Sequence, residues 1–304
     1  MAPMIGRQYR LDTSMSIQEI ILLALQLSLI AIVLSVGLQS RFSDLTYMLR
    51  RPVLLVRAIV AVNVIVPAVA VALCLLLSIP PSTRVGLVLM AASPLAASAP
   101  LKMLRTQSER SYVVGTYAAV VLSAVVTIPA TAEVLKLISP HSFRVPMGLV
   151  ASFLLINVLA PLLVGVAVNA KWQGLAERVA PVAKTVGVIL TVLIVLLIFA
   201  KFAREFIPLT GDGTVFVIVA TMAAGLAAGY VLGGPDPANR KTLGEAASTR
   251  HPSLAVAIAG ANPQYTHVLA AIILFLFCSA LFGITMTVLR SKLQPRPTPR
   301  PVAR

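Results

Sequence analysis

Charge is what this sequence has least of. Only 12 % of its 304 residues are charged, and Asp and Glu together number 10. A soluble domain of this size carries about twice that charged share to keep its surface hydrated, so a single soluble domain is excluded. The shortage of acids leaves no paired carboxylates for general acid–base chemistry. Cys74 and Cys278 both fall in apolar runs, with no second thiol at ligand spacing, and are expected to act as small buried hydrophobes. There is no HExxH, no Gly-rich phosphate loop and no Cys/His cluster. The glycines at Gly211-Asp212-Gly213 and Gly233-Gly234 read as loop punctuation. An enzyme is not expected, nor a resident metal or cofactor, nor a self-contained ATP-driven pump; a partner ATPase stays open.

What is abundant is apolar sequence: 58 % hydrophobic residues and a mean hydropathy of +0.94. The apolar residues fall in runs of roughly twenty, the length that crosses a hydrocarbon layer of about 30 Å. Nine runs are read as helices: A at 18–38, B at 53–80, C at 84–104, D at 111–132, E at 145–170, F at 182–203, G at 213–232, H at 244–262 and I at 265–289. The expectation is an all-α integral membrane protein of about nine transmembrane helices. Residues 1–17 form an N-terminal tail, 18–289 the transmembrane domain, and 290–304 a basic, proline-rich tail. No basic cluster directly precedes run A and no small-residue cleavage site follows it, so A is read as a retained helix.

The formal net charge of +15 raises nucleic acid as a partner, but no soluble module remains to hold a groove or recognition helix. Topology accounts for it better. One side would hold Arg41, Arg50, Arg51, Lys102, Arg105, Arg110, Lys171, Arg178, Lys184, Arg240, Lys241, Arg290, Lys292, Arg296, Arg300 and Arg304. The other would hold Arg7, Arg10, Arg84, Lys136, Arg144, Lys201 and Arg204. The richer side is expected in the cytoplasm of a bacterial-type inner membrane, with the N-terminus outside and the C-terminus inside.

Two runs differ from the rest. C contains Ala92-Ser93-Pro94-Leu95-Ala96-Ala97-Ser98-Ala99-Pro100, and H contains Ser248-Thr249-Arg250-His251-Pro252-Ser253. Proline removes a backbone donor and clashes with the preceding turn, and such breaks persist at membrane depth only where protein or a wet cavity satisfies the freed groups. C is next to last in the block 18–132, and H is next to last in the block 145–289. Interrupted segments at matching places in two halves point to a transporter's central site. Because H runs opposite to C, the two repeats are expected to be inverted. The plainer reading is two proline-kinked helices of a structural protein.

Arg250 is the most informative residue. A guanidinium near mid-span costs at least about 2.5–3.5 kcal/mol, and Glu109, Glu133 and Glu245 all lie near run ends. Arg250 is expected either to meet an anionic substrate through its planar fork, to serve as a structural cation, or to snorkel. His251 beside it either titrates and couples transport to protons, or sits neutral and hydrogen-bonded in the break. Ser93, Ser98, Ser248, Thr249 and Ser253 offer hydroxyls at the breaks. Asn63 and Asn157 are mid-run amides that serve as interhelical glue or as substrate contacts. Arg57 is placed by snorkelling, and Lys102 and Arg105 by the C-terminal dipole of C.

The chain resembles the bile acid:sodium symporter-like superfamily of secondary carriers in three landmarks over roughly 20–290. These are Gly37-Leu38-Gln39 with Phe42-Ser43-Asp44 and Leu49-Arg50-Arg51-Pro52; Gly86-Leu87-Val88-Leu89 leading into Ala92-Ser93-Pro94; and Ser253-Leu254-Ala255-Val256-Ala257-Ile258-Ala259. The resemblance implies a panel and a core domain, two inverted repeats, two discontinuous helices crossing near the substrate, and uptake of organic anions, often with sodium. The first repeat would lack its initial helix. Several of the family's usual groups are absent: Leu95-Ala96 and Ala99-Pro100 replace glycines and Ser-Asn, Ala246 and Arg250-His251 replace Glu and Gln-Asn, and Val62 beside Asn63 replaces Gln. Sodium prefers several oxygens, one of them anionic, so the usual sodium sites are expected to be lost, leaving proton coupling or uncoupled transport of a small organic anion. The alternatives are a sodium-coupled symporter and a non-transporting membrane sensor or assembly protein.

Overall fold

The computed structural model of the chain describes residues 17–138, 145–262 and 268–293. The tail residues Arg7, Arg10, Arg296, Arg300 and Arg304, the connection with Arg144 and the start of run I lie outside the described residues. The described residues form helices and turns only. We label the helices α1 (Ile17–Leu38), α2 (Pro52–Leu76), α3 (Pro81–Ala92), α4 (Ala99–Met103), α5 (Arg110–Ile138), α6 (Met147–Lys171), α7 (Gln173–Thr210), α8 (Thr214–Leu232), α9 (Pro237–Ala247), α10 (Pro252–Gly260) and α11 (Val268–Leu293).

Prolines set many of these boundaries. Pro52, Pro81, Pro237 and Pro252 each begin a helix, where a missing N–H costs nothing and φ is already helical. Runs C and H are each two helices: α3 stops at Ala92 and α4 resumes at Ala99, while α9 stops at Ala247 and α10 resumes at Pro252. The first part of H also begins earlier than its apolar run, at Pro237, with the Asp236 side chain accepting from the Ala238 N–H at 2.9 Å. Run F is longer than its apolar residues suggest. Helix α7 passes through Glu177, Arg178 and Lys184, separated from α6 by Trp172 alone.

Among the described residues, six helices are long and apolar enough to cross a membrane, and Leu23–Leu38 is a shorter apolar segment. On α7, Val182, Val186, Ile189, Leu193 and Leu196 are all exposed. Their three- and four-residue spacing makes an exposed apolar stripe of the kind that faces lipid in a membrane-spanning helix. The chain is a multi-spanning, all-α membrane protein.

The helices pack in two groups. In one, α1 lies along both α6 and α7. Backbones approach closely there, because a Cβ on Gly165 would sit 2.6 Å from the Leu38 nitrogen and one on Gly37 would sit 2.4 Å from the Leu162 oxygen. In the other group α8 rests on α9, α2 and α11, α3 on α11, α2 and α5, and α4 on α9. Glycines again permit the contact: a Cβ on Gly225 would meet the Ala247 oxygen at 2.4 Å, and one on Gly229 the Leu243 oxygen at 2.4 Å. The groups meet where α7 touches α11, the start of α6 touches α5, and α10 touches α1.

Two helices carry a wide turn at matching motifs. Asn63-Val64-Ile65-Val66-Pro67 and Asn157-Val158-Leu159-Ala160-Pro161 each follow or overlap a π-helical segment, Val60–Ile65 in α2 and Leu155–Leu159 in α6. The proline supplies no N–H to the turn before it, and the backbone widens to use the donors that remain.

Candidate functional site

The breaks of α3/α4 and α9/α10 touch. Ser93 (φ −60°, ψ 148°) and His251 (φ −104°, ψ 124°) are extended; the Ser93 N–H still donates to the Leu89 carbonyl at 2.9 Å, while its carbonyl and the His251 N–H turn toward the other break. The His251 N–H donates to the Pro94 carbonyl at 3.1 Å. One residue away, Arg250 Nη1 donates to the Ser93 carbonyl at 3.4 Å. Successive residues of one break thus bond successive residues of the other.

Arg250 is 2 % exposed. Besides Ser93, its Nη2 donates to the Val62 carbonyl at 2.8 Å and the Ala247 carbonyl at 3.2 Å. Nε is buried without a hydrogen-bond partner. The partners are three backbone carbonyls and no carboxylate among the described residues. His251 caps α10, its Nδ1 accepting from the Ser253 N–H at 3.1 Å. An Nδ1 that accepts carries no proton, so the ring is the neutral tautomer protonated on Nε2.

The hydroxyls divide by where their hydrogens go. Ser93 donates to the Leu89 carbonyl, and Ser248 and Thr249 both donate to the Glu245 carbonyl, each bonding back within its own helix turn. Ser253 Oγ is buried without a hydrogen-bond partner. Asn63 Nδ2 reaches α5, at 3.0 Å from the Val120 carbonyl and 2.8 Å from Ser123 Oγ. Asn157 Nδ2 bonds back to the Phe153 carbonyl at 3.0 Å.

A cavity of about 70 Å³ lies against the crossing, where the two helix groups meet. Arg250, His251, Pro252, Ala96, Ala97 and Ser98 form its break-side wall; Leu25, Ser28, Leu29 and Ile32 of α1, Thr191 and Val195 of α7 and Leu276 of α11 complete it. Of the residues picked out from sequence, Arg250, His251 and Ser98 therefore share one cavity. Ser93 is joined to it through Arg250; Ser253 and Thr249 flank the break, and Asn63 and Asn157 lie elsewhere. Sequence reading missed Ser28 and Thr191, each of which has apolar residues on both sides and no proline break nearby to mark it. Ser28 and Thr191 donate to the Leu25 and Gly187 carbonyls. A larger cavity of about 740 Å³ lies where α1, α6, α7 and the start of α5 come together, lined by Gln39, Arg41, Asp44, Arg110, Asn169, Gln173 and Glu177 among others. No cluster of three or more His, Cys, Asp or Glu suited to a metal occurs among the described residues.

No match was found among curated proteins. A family match was found: residues 26–208, well over half of the 304, align with the family described as the sodium bile acid symporter family. The matched stretch includes α2, both halves of the first break and most of α7, and it ends before Arg250. Helix content, apolar spans and this match agree, and the chain belongs to the sodium bile acid symporter family.

Proposed function

We propose that this carrier-family protein moves a small organic anion by alternating access, binding it in the cavity between α1, α7 and the crossed breaks. The observation that carries the reading is the Arg250 charge in the cavity wall, with no buried carboxylate paired to it. A cation with no carboxylate counter-ion behind a low-dielectric wall focuses field into the space beside it and favours a carboxylate or sulfonate there. The N-terminus of α10, with His251 and Pro252, lines the same wall, and its dipole has the same sign. Ser98, His251, Ser28 and Thr191 supply the polar side chains, and α1 and α7 supply an apolar face for the rest of the solute.

At about 70 Å³ the cavity has room for about two waters. All but the smallest organic acids fit only if the two helix groups part. They behave as panel (α1, α6, α7) and core (the remaining helices), and the broken pairs α3/α4 and α9/α10 count as two spans. With α1 and the six long helices the total is nine, in inverted repeats 18–132 and 145–289. The N-terminus is outside and the C-terminus in the cytoplasm of an inner membrane. The polar cavity around Arg41 and Arg110 lies on the same seam and serves as its cytoplasmic mouth.

Sodium coupling is the second reading, and the family description favours it. Against it stand Leu95, Ala96, Ala99, Ala246 and Arg250 at places where the family usually carries glycines or sodium ligands. Reconstitution into liposomes decides. A panel of labelled carboxylates and sulfonates is offered in potassium and in sodium buffers. Saturable uptake in potassium supports the proposal; uptake that requires sodium replaces it with the symporter, and saturable binding with no flux replaces it with a sensor.

A further inference from the structure

We infer that the Arg250 guanidinium fills a built-in monovalent-cation site, a cage of backbone carbonyls from three helices that holds a tethered cation in place of a free one. The inference concerns what Arg250 binds behind the cavity wall, and it stands whether or not the solute is an anion.

Each carbonyl of the cage lacks a helical donor for a reason visible in the sequence. Ala247 is the last residue of α9, and Ser93 closes α3 in extended conformation, so both lie among the last carbonyls that a helix leaves unpaired. Val62 sits inside the π-helical segment Val60–Ile65. In that register the partner of its carbonyl would be the N–H five residues on, which is Pro67 and has none. Three orphan acceptors therefore converge at one buried point. Two of them are helix C-termini, each with about half a unit of negative charge. Both ends favour a cation at that point, and the guanidinium supplies one with no carboxylate beside it.

No other cationic group among the described residues reaches these carbonyls. Arg250 donates to all three carbonyls, and no carboxylate contributes. A cage of neutral carbonyls at helix ends suits a weakly hydrated monovalent cation such as guanidinium, or an alkali ion that can shed water. It suits a divalent metal poorly, because a divalent ion demands anionic ligands. The site is also tight: Gly225 of α8 packs against the Ala247 carbonyl, which fixes one wall.

The test is thermal unfolding of the detergent-purified full chain as wild type, R250A and R250K. R250A empties the cage and is expected to melt several degrees lower. Guanidinium, at concentrations far below those that denature, or an alkali cation should then raise its melting temperature saturably, while choline does not. Wild type should be indifferent to which of these cations is present, and R250K, which keeps a tethered charge, should lie between. A monodisperse R250A that no small cation stabilises over choline would overturn the inference. If R250A cannot be recovered, the wild type decides alone: saturable stabilisation by sodium means that the cage is open to free ions and the inference fails, whereas indifference sustains it.

Discussion

Residue by residue, the polar groups of the two breaks have distinct jobs, and substitutions should separate them. Asn63 ties α2 to α5 through Val120 and Ser123. N63A should therefore destabilise the protein by about 0.6–1.7 kcal/mol, read as a lower melting temperature, while the KM for the transported solute stays unchanged; a large KM effect would return Asn63 to the binding site. His251 tests proton coupling. Its Nδ1 accepts the Ser253 N–H, so H251A removes a helix cap, at a cost of about 1 kcal/mol, and H251N, whose amide oxygen can accept the same bond, should restore both stability and flux. A proton on Nδ1 would abolish the cap, which makes His251 a poor carrier. If H251N transports but loses the pH dependence of the wild type, His251 is the proton carrier after all. Arg250, His251 and Ser98 were legible in sequence because each interrupts an apolar run beside a proline. Ser28 and Thr191 were not, because a helix apolar on every side shows no periodic face, and which side meets the cavity is decided by packing alone.

At the scale of elements, the breaks and helix starts were readable from proline, whose missing donor acts the same way in any solvent. The π segments could have been read too. Asn-Val-x-x-Pro occurs at 63–67 and again at 157–161, and each time the backbone widens before the proline. Helix ends were read less well. Hydropathy finds where lipid begins, whereas α7 continues through Glu177, Arg178 and Lys184, since a helix need not stop where its environment changes. Contacts between elements depend on glycine. Gly229 lets α8 lie against α9, and a valine there would drive its Cβ into the Leu243 carbonyl, 2.4 Å away. G229V should cost about 1–3 kcal/mol through forced separation and should weaken transport by displacing α9, which ends at Arg250's acceptor Ala247. Gly148 has no neighbour within 4 Å of an added Cβ, so G148A should change the melting free energy by no more than about 0.5 kcal/mol. Equal effects of the two substitutions would show that α8–α9 contact is not what holds the break.

For the whole molecule, the proposed mechanism requires the seam between α1, α6 and α7 and the remaining helices to open, because the cavity at the crossing holds only the smallest organic acids. The family match agrees with a carrier and not an enzyme, and interfaces in carriers are expected to be bistable rather than uniformly soft. Ser98 is the place to measure the opening: it is half-buried and lines the cavity, so a cysteine there should be reached much more readily when the groups separate. In a background with Cys74 and Cys278 replaced, S98C should react with a small methanethiosulfonate reagent far more slowly than S43C, which is exposed on the short helix Phe42–Leu45 after α1. A transported anion should slow S98C further and leave S43C alone, since the solute and the reagent compete for one space. The ratio of the two rates estimates how often the seam is open, because reaction at a gated site is reduced by the fraction of time the site is accessible. If S98C reacts as fast as S43C and no solute protects it, the cavity is permanently open to water, and rocking of the panel against the core is not how this protein works.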